Sequence, residues 1–238
     1  MNEDGIRDVA AILVAGGSAA RFGKACSEMP KQFELIDDLP MYQFVARTFS
    51  RVGDVGKIVL VGRSEDVAHM EKGLRELNLS IDYLVVSGGE TRQESVANGL
   101  AVLNESSGIE IVLVHDVARA LIEESSIQSV IATIREHGSA IAAIEVVDTL
   151  KRVENGEIVE TIPRENLWRA QTPQGAKIEL LHSAFEAARK TNFVGTDEAQ
   201  LLERIGERPR IVPGSEMNFK ITYPSDLERA RHALHVQN

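Results

Sequence analysis

The chain has 238 residues, 43% apolar and 26% charged, and 36 Asp and Glu against 26 Lys and Arg give it a formal net charge of −10. These proportions exclude a collagen-like or largely disordered chain, and the acidity argues against non-specific binding to nucleic-acid backbones without excluding a local basic pocket. The single cysteine, Cys26, excludes an internal disulfide and a cysteine-based zinc site.

The first eight residues carry three acids and no apolar stretch, so no signal peptide is expected there. No apolar run approaches the ~20 residues of a spanning helix, and the expected setting is cytoplasmic. Residues 9–14 (VAAILV) read as a buried strand stopped by Gly16-Gly17. Further strands are predicted at 58–61, at 83–86 before Gly88-Gly89, at 111–114 before His115-Asp116, and at 140–147. Helical periodicity fills the gaps at 67–77, 94–103 and 126–137. Apolar strands without polar alternation, separated by helices, predict an α/β fold: a Rossmann-like, mostly parallel sheet with helices on both faces.

Two stretches break the rhythm. The first is a loop over 15–32, and long loops in compact domains are usually functional. The second spans 148–173, where β-prone runs at 150–153 and 158–161 flank Asn155-Gly156, a strong hairpin signal. A hairpin inserted in this way reads as an arm. Helices are then predicted at 177–190, 197–205 and 225–235, with strands at 210–212 and 218–222 before the last helix. With no internal repeat or linker, the organisation is one domain over 1–238 with an arm embedded at about 148–173.

The loop after the first strand lies where open α/β sheets bind ligands. Gly16 and Gly17 permit φ > 0 and close backbone approach, and their N–H groups can cradle phosphate. Arg21 and Lys31 supply positive charge suited to a triphosphate. The spacing is neither the dinucleotide-binding nor the Walker glycine pattern. Gly88-Gly89 and Ser95 read either as a base pocket or as a tight strand-to-helix connection. Asp116 reads either as a contact for ligand hydroxyls or metal, or as a buried cap. His115 reads as structural, and Trp168 as packing at the arm base.

The segment Ala15-Gly16-Gly17 through Arg21-Phe22-Gly23, followed by Pro30-Lys31-Gln32, resembles the signature of sugar-phosphate nucleotidyltransferases. It is most similar to the cytidylyltransferases that act on 2-C-methyl-D-erythritol 4-phosphate and on pentitol 5-phosphates. The resemblance continues in order through Gly88-Gly89-Glu90-Thr91-Arg92-Gln93-Glu94-Ser95-Val96, His115-Asp116-Val117-Ala118-Arg119 and Asp148-Thr149-Leu150-Lys151-Arg152. It extends through Arg164, Leu167-Trp168 and Gln171-Thr172-Pro173-Gln174, then Thr196-Asp197-Glu198 and Asn218-Phe219-Lys220-Ile221-Thr222. The chain departs from the family pattern at Ala19, where glycine is usual, at Ala120 in place of proline, and at Pro163 in place of an aspartate.

The resemblance implies an enzyme that transfers CMP from CTP to a polyol phosphate and releases pyrophosphate, with Mg²⁺ carried mainly by the CTP phosphates and no metal ligands of its own. Arg21, Lys31, Arg164 and Lys220 are the implied catalytic residues: the first two at the CTP phosphates, the other two positioning the acceptor phosphate. Val14, Ala15, Gly16, Gly17, Gly88, Gly89, Glu90, Arg92, Ser95 and Ala118 are implied for CTP. Asp116, Arg119, Thr149, Arg152 and Thr172 are implied for the acceptor, and the arm is implied to form a homodimer. The methylerythritol phosphate is favoured as acceptor over ribitol 5-phosphate, and the retained cations argue against a non-catalytic CTP-binding paralogue.

Overall fold

The computed structural model describes residues 7–16, 30–103 and 108–237. Strand β1 (Val9–Val14) forms where an uninterrupted apolar run allows burial on both faces. A small hairpin, β2 (Leu35–Ile36) and β3 (Leu39–Pro40), leads into α1 (Met41–Ser50). Neither the hairpin nor α1 was among the predicted elements. The signal for α1 is present, since Met41, Tyr42, Val45, Ala46 and Phe49 recur at helical spacing and are all buried. Then follow β4 (Val55–Gly62), α2 (Val67–Glu76), β5 (Asp82–Ser87), α3 (Arg92–Ala101), β6 (Ile111–Asp116), α4 (Glu124–His137) and β7 (Ser139–Glu145). The arm is β8 (Leu150–Glu154) and β9 (Glu157–Ile162). The chain closes with β10 (Trp168–Lys177), α5 (Ile178–Lys190), α6 (Glu198–Arg204), β11 (Arg210–Pro213) and α7 (Pro224–Gln237).

The seven-stranded sheet has the order β11-β7-β10-β6-β1-β4-β5. All neighbours are parallel except β10, which runs antiparallel to both β6 and β7. Side-chain alternation divides the core in two. Val9, Ala11 and Leu13 of β1 face α1, α2, α4 and α7, while Ala10 and Ile12 face α3, α5 and α6.

Three expectations change. Residues 218–222 do not form a strand; Asn218 instead bonds sideways, its Nδ2 donating to Thr172 O at 2.8 Å and Gln171 Oε1 at 3.2 Å. The paired part of the arm ends at Ile162, and Trp168 already belongs to the central sheet, opposite Glu145. Helix α3 begins two residues before its predicted start, at a capping box. Thr91 Oγ1 accepts from Glu94 N at 3.1 Å and Glu94 Oε2 accepts from Thr91 N at 3.0 Å. The hairpin prediction holds: Asn155 and Gly156 both take positive φ, 50° and 87°, joining two strands paired antiparallel.

Candidate active site

The carboxyl ends of β1, β4, β5 and β6 open on a cleft of about 580 Å³. Lys31, Arg92, Asp116 and Lys220 stand on its wall with Val14, Ala15, Gly16, Gly89, Glu90, Ser95 and Ala118. Gly88 lines an adjoining recess with Gly16, Gly89 and Ser95. Arg21, Gly17, Ala19 and Cys26 lie outside the described residues.

The Gly88-Gly89 turn is locked from within. Gly88 N donates to Gly62 O at 2.7 Å, Gly89 N donates to Ser95 Oγ at 3.1 Å, and that hydroxyl donates to Thr91 O at 2.9 Å. A Cβ on Gly88 would stand 2.6 Å from Ser95 Oγ, and one on Gly89 2.4 Å from Glu94 Cβ. Glycine is therefore required here by close approach. Gly16 does not use the positive φ that glycine permits, and a Cβ there would meet nothing nearer than 3.8 Å. Its small size serves the open cleft.

Asp116, at the end of β6, sits between two cations. Arg92 Nε donates to its Oδ1 at 2.9 Å and Lys220 Nζ to its Oδ2 at 2.6 Å. Burial alone would raise the Asp116 pKa, but Arg92 and Lys220 outweigh it and hold the carboxyl well below the usual range. Burial opposes the charge of Arg92 too, yet Glu198 and Asp116 together keep its pKa above the ordinary arginine value. Lys31 Nζ donates to Ile221 O at 3.0 Å, which ties the start of the described loop to the segment carrying Lys220.

Behind Asp116 lies a neutral chain. His115 is buried, and its Nε2 is 3.1 Å from Arg119 O. A carbonyl only accepts, so Nε2 carries the proton and Nδ1 accepts from Thr172 Oγ1 at 3.0 Å. Thr172 Oγ1 then accepts from Asp116 N at 3.1 Å. Burial lowers the His115 pKa to about 4, although Asp116 pulls it upward.

In this arrangement Thr172 is buried, with its hydroxyl against His115 Nδ1 at 3.0 Å. Arg119 donates to Asn218 O at 2.8 Å and Ala170 O at 3.3 Å and is not part of the cleft wall. Arg164, Thr149 and Arg152 are exposed on or beside the arm and do not join the cleft within this chain. Arg152 pairs with Glu160 across the hairpin at 2.8 Å, and Arg164 donates to Val147 O.

The cleft also contains residues absent from the predicted set: Gln32, Met41, Arg63, Glu65, Thr91 and Val117. Arg63 directly follows β4, the strand beside β1, so the rule that ligands sit beyond strand carboxyl ends already pointed to it. Glu198, buried against Arg92, was marked by the Thr196-Asp197-Glu198 motif but given no role.

Residues 9–236 match the family described as "IspD: 2-C-methyl-D-erythritol 4-phosphate cytidylyltransferase". A protein of that name from Acidobacterium capsulatum is 40% identical over 229 residues, covering 94% of this chain and 95% of the relative. One from Bacillus mycoides is 36% identical over 226 residues, covering 95% and 97%. Among solved structures, 4-diphosphocytidyl-2C-methyl-D-erythritol synthase from Anaerococcus prevotii superposes with a TM-score of 0.81 at 27% identity, covering 98% of this chain and 100% of that one. The 2-C-methyl-D-erythritol 4-phosphate cytidylyltransferase from Thermus thermophilus gives 0.77 at 27% identity, covering 94% and 98%. With the family matched over residues 9–236 and relatives 36–40% identical along nearly the whole chain, this chain belongs to the 2-C-methyl-D-erythritol 4-phosphate cytidylyltransferase family.

Proposed function

We propose that the chain transfers CMP from CTP to 2-C-methyl-D-erythritol 4-phosphate, forming 4-diphosphocytidyl-2-C-methyl-D-erythritol and pyrophosphate. The observation that carries this reading is the presence of Lys31 and Lys220 on the wall of one cleft with Gly16 and Gly89. A phosphate monoester oxygen of the acceptor attacks the α-phosphorus, and the bond from that phosphorus to the β-phosphate bridge oxygen breaks. The second pKa of the acceptor phosphate is about 6, so it is largely dianionic at neutral pH and needs no strong base. The demand is to hold two polyanions in line and stabilise charge at the α-phosphate.

Lys31, with Arg21, serves the triphosphate, and Lys220 serves the acceptor phosphate. Ser95 contributes to base selection. Its proton is committed to Thr91 O, so toward a ligand it can only accept, which suits the amino group of cytosine and not the carbonyl of uracil.

Mg²⁺ enters with CTP in this reading and supplies charge neutralisation to the phosphates. Both oxygens of Asp116 already face cations. Phosphate oxygens are then its main ligands, as is common for magnesium.

The arm completes the site from a second copy in a C2 dimer. It is rooted at the cleft end of the sheet, between the end of β7 and the start of β10. It exposes Val153 and Ile158 at 54% and 64%, and an isolated two-stranded hairpin is marginal in water. Thr149, Arg152 and Arg164 then act on the partner's acceptor. The unit is one domain over 1–238 with this arm embedded, working in the cytoplasm where both phosphorylated substrates are held. No helix among the described residues is long and apolar enough to cross a membrane.

The test is pyrophosphate release with each of the four NTPs against both 2-C-methyl-D-erythritol 4-phosphate and ribitol 5-phosphate. Release with CTP and the erythritol compound alone is expected. Preference for another nucleotide or for ribitol 5-phosphate would overturn the reading, and a fully active monomer in light scattering would overturn the dimer.

A further inference from the structure

The Thr196-Asp197-Glu198 motif has no part in the chemistry above, yet its placement is heavily specified. Asp197 Oδ1 accepts from Gln200 N at 3.0 Å and caps α6. Asp197 Oδ2 accepts from Gln174 Nε2 at 2.9 Å, and Gln174 Oε1 accepts from Ala199 N at 3.0 Å. These bonds fasten the start of α6 to β10. They leave Glu198, only 1% exposed, against the guanidinium of Arg92, which donates to both its oxygens at 2.7 and 3.0 Å.

The pair is the inner end of a line of alternating charge. Glu198 holds Arg92, Arg92 holds Asp116 at 2.9 Å, and Asp116 holds Lys220 at 2.6 Å. The line runs from the buried Glu198 to Lys220, whose side chain is 43% exposed. Arg92, Asp116 and Lys220 line the cleft and Glu198 does not. A guanidinium is a planar fork whose orientation is fixed once one edge is gripped, whereas a lysine ammonium is a point charge on a flexible stem. The location of the Lys220 charge therefore depends on Asp116, and that of Asp116 on the set of the Arg92 plane.

We propose that Glu198 is a positioning residue: its buried carboxylate pins Arg92 and, through Arg92 and Asp116, fixes where Lys220 stands on the cleft wall. This rests on the reading of Asp116 and Lys220 as acceptor-side groups. Glu198→Gln keeps the side-chain shape but turns an amide donor toward an Arg92 donor, releasing one edge of the fork.

The experiment is a double-mutant cycle of Glu198→Gln and Asp116→Asn, with folding checked by thermal melting. CTP affinity is measured by calorimetry, and kcat and KM are measured for 2-C-methyl-D-erythritol 4-phosphate. In the wild-type background Glu198→Gln should lower the acceptor kcat/KM by about tenfold to a hundredfold, the cost of misplacing a reactant by a fraction of an ångström to an ångström. CTP affinity, to which Arg92 also contributes, should fall by a clearly smaller factor than the acceptor kcat/KM. In the Asp116→Asn background, where the line is already cut, the same substitution should change kcat/KM by less than about threefold.

An equal factor in both backgrounds would overturn the proposal, since a residue that merely stabilises the fold acts additively. A loss of CTP affinity as large as the loss of acceptor use would overturn it as well. If Glu198→Gln does not fold, Glu198→Asp, with its charge one methylene short, is carried through the same cycle with the same expected outcomes. Wild-type enzyme without acceptor-dependent pyrophosphate release would defeat the functional reading and this inference together, which separates that failure from an additive cycle in an active enzyme.

Discussion

His115 makes stability depend on pH in a way that can be worked out from its surroundings. It is fully buried, its Nε2 proton is on Arg119 O, and its Nδ1 accepts from Thr172. Burial holds its folded pKa at about 4, below the ordinary 6.5. Between those values the unfolded chain takes up a proton that the folded chain refuses, so stability is complete above about pH 6.5 and is lost as the pH falls toward 4. At about 1.4 kcal/mol per pH unit, moving from pH 6.5 to pH 5 removes about 2 kcal/mol through this residue alone. For a chain of this size that corresponds to about 4–8 °C in the unfolding midpoint.

Other groups titrate in the same window, so the informative quantity is the difference between wild type and His115→Asn. The asparagine keeps an acceptor toward Thr172 but has no proton to gain. Denaturant unfolding of both proteins at pH 7 and pH 5 should show the wild-type advantage shrinking by about 2 kcal/mol. An advantage that stays constant between those pH values would refute the reasoning, because a neutral buried imidazole cannot lose its contribution without pH dependence.

Lys31→Ala should lower turnover by about 10²–10³ with little change in the melting midpoint, since a preorganised charge is lost while no core side chain is removed; steady-state kinetics beside a thermal melt decide it, and turnover within a few-fold of wild type would remove Lys31 from the mechanism. Gly88→Ala should displace the Ser95 hydroxyl, which a new Cβ would approach to 2.6 Å, and weaken CTP binding by about tenfold in calorimetry. Arg164→Ala should leave CTP affinity unchanged while lowering acceptor kcat/KM, and Arg164→Lys should remain impaired because lysine cannot reproduce a bidentate grip on phosphate; loss of CTP affinity instead would move Arg164 to the nucleotide side.

The parallel strands were legible because burial on both faces demands uninterrupted apolar runs, as in residues 9–14 and 111–114. Strand β10 was not. Its residues Gln171, Thr172 and Gln174 are polar yet buried, and they are tolerated there because each is bonded to a distant partner: Ser215 O, His115 and Asp197 respectively. Polar pattern alone marks such a stretch as loop. Residues 218–222 were misplaced because their backbone bonds to turns and loops and not in a ladder, Asn218 N donating to Ser215 O at 3.0 Å and Ile221 N to Ala118 O at 2.7 Å. At the site, Gly16, Gly88-Gly89, Asp116 and Lys220 were readable because they adjoin strand ends or match motifs. Glu198 acts across 106 residues of sequence on Arg92, and nothing local to it signals that partner.

The antiparallel course of β10 sets what the arm can tolerate over evolutionary time. Because β7 and β10 are neighbours that zip together at Trp168 and Glu145, the two roots of the insertion stand side by side. The insertion is a detour between adjacent pegs. Doubling such a detour costs only about 0.6 kcal/mol of closure entropy. Arm length and tip sequence are then free to drift, or to be exchanged whole between homologues, without shifting the register of any strand that carries the nucleotide cleft. A chimera carrying a foreign arm on this sheet is then the natural way to change the insertion while keeping the cleft of β1, β4, β5 and β6 as it stands.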